Sequence, residues 1–146
     1  MKGIDFTEKN IQAIVRGLKW KTRRLKPTYR LGETLYVRET FWLHAKFDSM
    51  TPNEAILAGA VPYFEFTVGC GRQRNKRFMP QAFARYKILI IGVVSENLCD
   101  ISEGDCIAEG VANKQEFIAL FNSLHGEGAF ESNPIVWVYG FTHIKH

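Results

Sequence analysis

The longest apolar run in this chain covers residues 88–94, and Gly92 interrupts it. That ceiling on continuous apolar length limits what the chain can build. A membrane-spanning helix needs about 20 consecutive apolar residues, so a transmembrane protein is excluded and no membrane partner is expected. Apolar residues still make up 46% of the chain, with Phe 11, Tyr 5 and Trp 3. That is enough to bury a core built from short elements, and it argues against disorder. At 146 residues the expectation is one domain spanning 1–146. The start, Met1-Lys2-Gly3-Ile4-Asp5, has no apolar signal region, which points to the cytoplasm. Cys70, Cys99 and Cys106 form no C-x-x-C pair, and a sparse, odd count fits a reducing compartment.

Charge is unevenly distributed. The net charge is +4, but residues 16–30 hold seven cations (Arg16, Lys19, Lys21, Arg23, Arg24, Lys26, Arg30) and no acid. Residues 66–95 hold six more (Arg72, Arg74, Lys76, Arg77, Arg85, Lys87), again with no acid. Residues 96–131 reverse the sign, with eight acids against Lys114. A chain polarised in this way can present one face to an anion, and nucleic acid is the commonest such partner. Trp20, Tyr29, Phe78 and Tyr86 lie among the cations, where they could stack unpaired bases. A solvated basic surface over a small barrel core would show the same pattern.

Along the chain, Thr7 can cap a helix carrying Ile11, Ile14, Val15 and Leu18 on one face, with Gly17 as its stop. Pro27 prevents helix through 18–30. Residues 34–40 alternate as a strand. Residues 43–60 read as an excursion with a short helix near 54–57, 63–68 as a strand, and 69–77 as a mobile basic loop. Met79-Pro80 starts a short helical turn through Ala84. Residues 86–97 read as a long strand buried on both faces. Ser102 caps a helix to Glu109, with Asp105 in a shortened capping box. Phe117, Leu120, Phe121 and Leu124 mark a second helix, and 135–142 a last strand. The order predicts an α+β fold, a small open barrel.

Metal and cofactor signatures are missing: His143 and His146 lack a third nearby ligand, and no phosphate-loop or dinucleotide fingerprint occurs, so neither a metal nor a cofactor is expected. Cys70 lies among cations that would lower a thiol pKa, although a loop cysteine is the simpler reading. The informative segment is Gly17-Leu18-Lys19-Trp20-Lys21-Thr22-Arg23-Arg24. If extended, it puts Lys19, Lys21 and Arg23 on one side and Trp20, Thr22 and Arg24 on the other. Crowded, buried cations push one lysine towards its neutral form, and a neutral lysine can act as base for a nearby hydroxyl. A phosphate-binding strand without chemistry is the alternative.

These residues resemble the ASCH domain, a family of small PUA-like barrels. Gly17, Lys19, Thr22 and Arg24 match its G-x-K-x-x-T-x-R motif. Leu31-Gly32-Glu33-Thr34-Leu35-Tyr36-Val37-Arg38-Glu39-Thr40-Phe41-Trp42 resembles the "GD-L-VRE-W" block of its phage and prophage branch. Phe78-Met79-Pro80 through Arg85 resembles "MPRWASR", the stretch from Asp100 to Gly110 resembles "DISEEDAIAEG", and that from Asn133 to Phe141 resembles "NPWVWVIEF". Five blocks in order cover the chain from about Thr7 to Phe141.

The resemblance implies an open PUA-like β-barrel with helices packed at its rim, and a cleft for RNA or a modified nucleoside. Some members are amidohydrolases that deacetylate N4-acetylcytidine with a lysine base, a threonine nucleophile and a glutamate proton donor. Lys19, Thr22 and Glu109 match those roles, and Arg24 matches the motif arginine as an anion or carbonyl contact. Glu39 in the "VRET" block is a competing acid, which Arg38 could hold as a barrel ion pair. Trp20 stands where the family usually has a small polar residue, and roughly 41–80 is an insertion relative to the shorter amidohydrolases. The alternative is a non-catalytic RNA-binding module using Lys21, Arg23, Arg72, Arg74 and Arg77 on phosphates and Trp20 or Phe78 on bases. A ribonuclease is the third reading. A monomer is favoured.

Overall fold

The computed structural model describes Met1–Lys145. The elements, in chain order, are β1 (Gly3–Asp5), α1 (Glu8–Val15), β2 (Lys21–Arg24), β3 (Thr34–Arg38), β4 (Phe41–His44), α2 (Pro52–Leu57), β5 (Cys70–Arg74), β6 (Lys87–Asn97), α3 (Glu103–Ala108), α4 (Lys114–His125) and β7 (Ile135–Ile144). Single 3-10 turns lie at Ala45–Phe47, Lys76–Phe78, Gln81–Phe83 and Leu98–Asp100. The α+β class expected from the element order is what the chain adopts. Among the described residues no helix is long and apolar enough to cross a membrane.

The chain divides into two compact units, each drawn from two stretches of sequence. Unit 1 comprises Met1–Glu8 and Leu35–Lys87. In it β1 lies parallel to β3, with Ile4 opposite Val37, and both side chains are fully buried. β4 pairs antiparallel with β5 from Phe41↔Arg74 to His44↔Cys70, with a bulge between Trp42 and His44. Its core gathers Phe41, Leu43, Phe47, Ala55, Met79 and Phe83. A complete capping box starts α2: the Thr51 side chain accepts from Glu54 N and the Glu54 side chain accepts from Thr51 N. At Gly71 an added Cβ would lie 1.9 Å from Asp48 Oδ1, so only glycine lets that carboxylate approach the β5 backbone.

Unit 2 comprises Lys9–Thr34 and Ile88–His146. Its strands lie in the order β6-β7-β2. β2 runs antiparallel to β7, with Lys21↔Gly140, Thr22↔Tyr139, Arg23↔Val138 and Arg24↔Trp137 opposite one another. α3 and α4 pack through Cys106, Phe117 and Phe121 onto Leu98, Ile101, Phe130, Val136 and Val138.

Several sequence expectations are corrected. Residues 63–68 form no strand; only Tyr63 bridges, to Trp42, and Phe66 and Val68 point outwards. The expected loop at 69–77 instead contains β5, because pairing with β4 satisfies backbone groups that its polar, glycine-containing sequence does not advertise. β6 is not buried on both faces: Ile88 and Ile90 are interior, whereas Ile91 and Val94 are exposed. Its apolar run conceals a one-sided strand.

Candidate functional site

The site in unit 2 is built where α1 ends. Gly17 takes a positive φ of 76°, and the amides of Leu18 and Lys19 both turn back to Ala13 O. Trp20 then donates its amide to Ala108 O at the end of α3 and accepts from Phe141 N of β7. These two backbone bonds fix the chain entering β2 between α3 and β7.

α3 presents the acids. Ser102 Oγ accepts from Asp105 N as an N-cap. The Asp105 carboxylate is not part of a capping box as expected. It accepts from Lys21 Nζ at 2.7 Å and Arg23 Nη2 at 2.8 Å. One turn on, Glu109 lies on the same face and its Oε2 accepts from Arg23 Nη1 at 2.8 Å. Glu96 of β6 completes the ring, accepting from Arg23 Nη2 at 2.7 Å. A guanidinium only 1% exposed is thus bracketed by three carboxylates.

Lys19 is sealed in beside this network. Its Nζ donates to Glu109 O at 2.6 Å and Lys21 O at 2.9 Å, and lies 3.7 Å from Glu109 Oε1. Gly110, at φ 98°, passes close by: a Cβ there would be 3.4 Å from Lys19 Cδ. Burial pushes the Lys19 ammonium below the ordinary lysine value, although Glu109 opposes the shift. Burial pushes the Glu109 carboxyl above the ordinary carboxylate range, although Lys19 and Arg23 oppose it. Both effects favour the neutral pair, an amine beside a carboxylic acid. A neutral amine keeps two N–H groups, so it can still serve both carbonyls. Asp105 goes the other way: burial alone would raise it, but hydrogen bonds from Lys21 and Arg23 hold it below its ordinary value. Arg23 is held above its own ordinary value, burial being outweighed by Glu96, Glu109 and Asp105.

Thr22 is buried on β2, and its Oγ1 accepts from Arg24 Nε at 3.3 Å. The expected alternation is visible: Lys21 and Arg23 reach the same carboxylate, while Thr22 and Arg24 meet each other. Lys21 and Arg23, expected on phosphates, are engaged by acids of their own unit. Trp20 is 47% exposed, with Lys21 Nζ 5.0 Å from its ring centroid.

Unit 1 holds the remaining candidates. Glu39 is buried, and both of its carboxylate oxygens accept from Arg85, whose guanidinium lies 3.9 Å over the Phe64 ring. Arg38 does not hold Glu39; its Nε donates to Asp5 Oδ1 at 2.6 Å. Arg74, expected on an RNA-facing loop, is buried and donates to Met50 O and Phe47 O at 2.8 Å each. Burial together with Arg72 lowers its pKa. Arg72 Nε donates to Asp48 O while its side chain remains exposed, and Arg77 lies exposed over Phe78 at 5.6 Å. Among the described residues no group of three or more His, Cys, Asp or Glu is placed to hold a metal ion.

Sequence reasoning missed Asp105, Glu96 and Arg85 as ionic partners. Asp105 and Glu109 are four residues apart on one short helix, so a shared face was readable for them. Glu96 and Arg85 have no such local signal. Comparison with protein-family models, curated proteins and solved structures finds no match for this chain.

Proposed function

We propose that this chain is an ASCH-type, PUA-like protein that binds RNA or a nucleoside, and that it hydrolyses an acyl amide on a cytosine-type base such as N4-acetylcytidine. The observation that carries the reading is the buried Lys19–Glu109 pair, in which burial drives the amine and the carboxyl towards their neutral forms. Amide hydrolysis needs those two forms, a base and a proton donor. Lys19 takes the Thr22 hydroxyl proton as Oγ1 attacks the acyl carbon. Glu109 gives its proton to the departing N4 amine, and water then releases the acyl group from Thr22. Arg24, bonded to Thr22 Oγ1, is the polar contact for the acyl oxygen. The five sequence blocks support the family assignment, and the β6-β7-β2 order supports a strand scaffold compatible with an open barrel.

The test is turnover of N4-acetylcytidine followed by chromatography, with Lys19→Ala, Thr22→Ala and Glu109→Gln alongside and circular dichroism to check folding. Loss of a general acid or base costs roughly 100- to 10,000-fold, and all three variants should fall by that order. Full rate in folded Lys19→Ala and Thr22→Ala overturns the assignment. So does the absence of turnover by the native chain at high concentration. In that event the non-catalytic RNA-binding reading takes its place, favoured by the exposed aromatic–cation pairs at Trp20–Lys21 and Phe78–Arg77.

A further inference from the structure

Behind Lys19, unit 2 contains a second feature that the proposed reaction does not use. A cavity of about 280 Å3 opens between the end of α1 and the end of β7. Arg16, Lys19 and Trp20 line one side, and Phe141, His143 and Lys145 the other. Neither Thr22 nor Glu109 is among its lining residues, and none of the lining residues is acidic. Its volume lies near the lower end of small-molecule pockets, about 300–1,000 Å3.

The lining sorts by chemistry. Arg16 and Lys145 are exposed, and no carboxylate in the described residues forms an ion pair with either. The C-terminal end of α1 accounts for a cation at Arg16, since helix C-termini favour positive charge. It does not account for Lys145, which comes from the far end of the chain. Trp20 adds a half-exposed indole, and Phe141 a buried ring at the floor. The hydrogen bond from Phe141 N to Trp20 O sets the two beside one another. Two cations, an indole and no acid in a cavity of this size form a receptor for a flat aromatic ring that carries an anion.

We infer that this cavity binds a nucleoside monophosphate unit, its base against Trp20 and its phosphate between Arg16 and Lys145. The unit is either a free nucleotide or one residue of a single-stranded RNA. The inference stands apart from amide hydrolysis, because it shares only Lys19 with that reaction, and Lys19 Nζ is turned to the carbonyls of Glu109 and Lys21.

Calorimetric titration of the full chain tests it with three probes: cytidine 5′-monophosphate, cytidine, and a short oligocytidylate RNA. The nucleotide should bind about tenfold or more tightly than the nucleoside, the loss expected for one charge-assisted hydrogen bond. Arg16→Glu and Lys145→Glu should each remove that advantage, and Trp20→Ala should weaken both ligands while Trp20→Phe restores them. If only the RNA binds, and Arg16→Glu abolishes it, the phosphate belongs to a strand; if the mononucleotide binds equally well, it is free. Equal binding of nucleotide and nucleoside, unchanged affinity in folded Arg16→Glu and Lys145→Glu, or no binding of any probe overturns the inference. Because the readout is binding, an inactive native chain that still binds the nucleotide would remove only the hydrolase reading.

Discussion

Lys19 and Glu109 illustrate how little sequence distance decides chemistry at the scale of a residue. They are 90 positions apart, yet the amine donates to the acid's own backbone carbonyl. Because the two side chains are buried together, they titrate as a pair with apparent values that belong to neither alone. Lys19 should therefore lose its proton below the ordinary lysine range. In Glu109→Gln it should titrate lower still, since the charge that opposes the burial effect is gone. Side-chain nitrogen NMR of Lys19 against pH checks both. An unshifted lysine, or a value that rises in Glu109→Gln, contradicts the pairing. In the proposed reaction kcat/KM is then bell-shaped. It falls at low pH when the pair takes a second proton, and at high pH when it loses the shared one.

At the scale of elements, the α3–β2 contact is held by ionised groups, and its pH dependence has a definite sign. The Asp105 carboxyl lies below its ordinary value, so its contribution is present above that value and lost as pH falls through the folded one. Thermal stability should decline as pH drops below about 4, and Asp105→Asn should flatten that part of the curve. A mutant with the native acid limb places the loss elsewhere. In unit 1, Arg74 ties β5 to the turn at 45–50. Arg74→Met removes two hydrogen bonds from a buried guanidinium and strands Met50 O, a cost of about 1–3 kcal/mol. Urea unfolding that shows no change would mean another group replaces it. These elements also show what could be read from sequence. The faces of α1 and α4, the cap at Ser102 and the β-branched run of β7 are local patterns, and each element was found where expected. β1 and β5 carry no such pattern, since three residues and a polar, glycine-containing stretch become strands only through β3 and β4. The site was legible in the same measure. Spacing singled out Lys19 and Thr22, whereas the bracket around Arg23 depends on Glu96, which only the folded chain brings near.

Across the whole molecule the two acid-poor stretches suggested a broad basic face, and the side chains use much of that charge internally. Lys19, Lys21 and Arg23 meet carboxylates of α3 and β6, Arg85 meets Glu39, and Arg74 and Lys76 donate to backbone carbonyls. A net charge of +4 therefore overstates what is offered to a polyanion. Each phosphate neutralised on a single strand adds about −0.7 to the slope of log affinity against log salt. If the exposed cations Arg16, Arg72, Arg77 and Lys145 carry the contacts, the slope for single-stranded RNA should be about −2 to −3. Removing Arg74 should leave that slope unchanged, while Arg72→Ala or Arg16→Ala should each reduce it by about 0.7. A slope several times steeper would mean that the bracketed cations let go of their acids when RNA binds. That rearrangement would undo the Lys19–Glu109 pair on which the hydrolase reading depends, so the salt titration tests the chemistry as well as the contact surface.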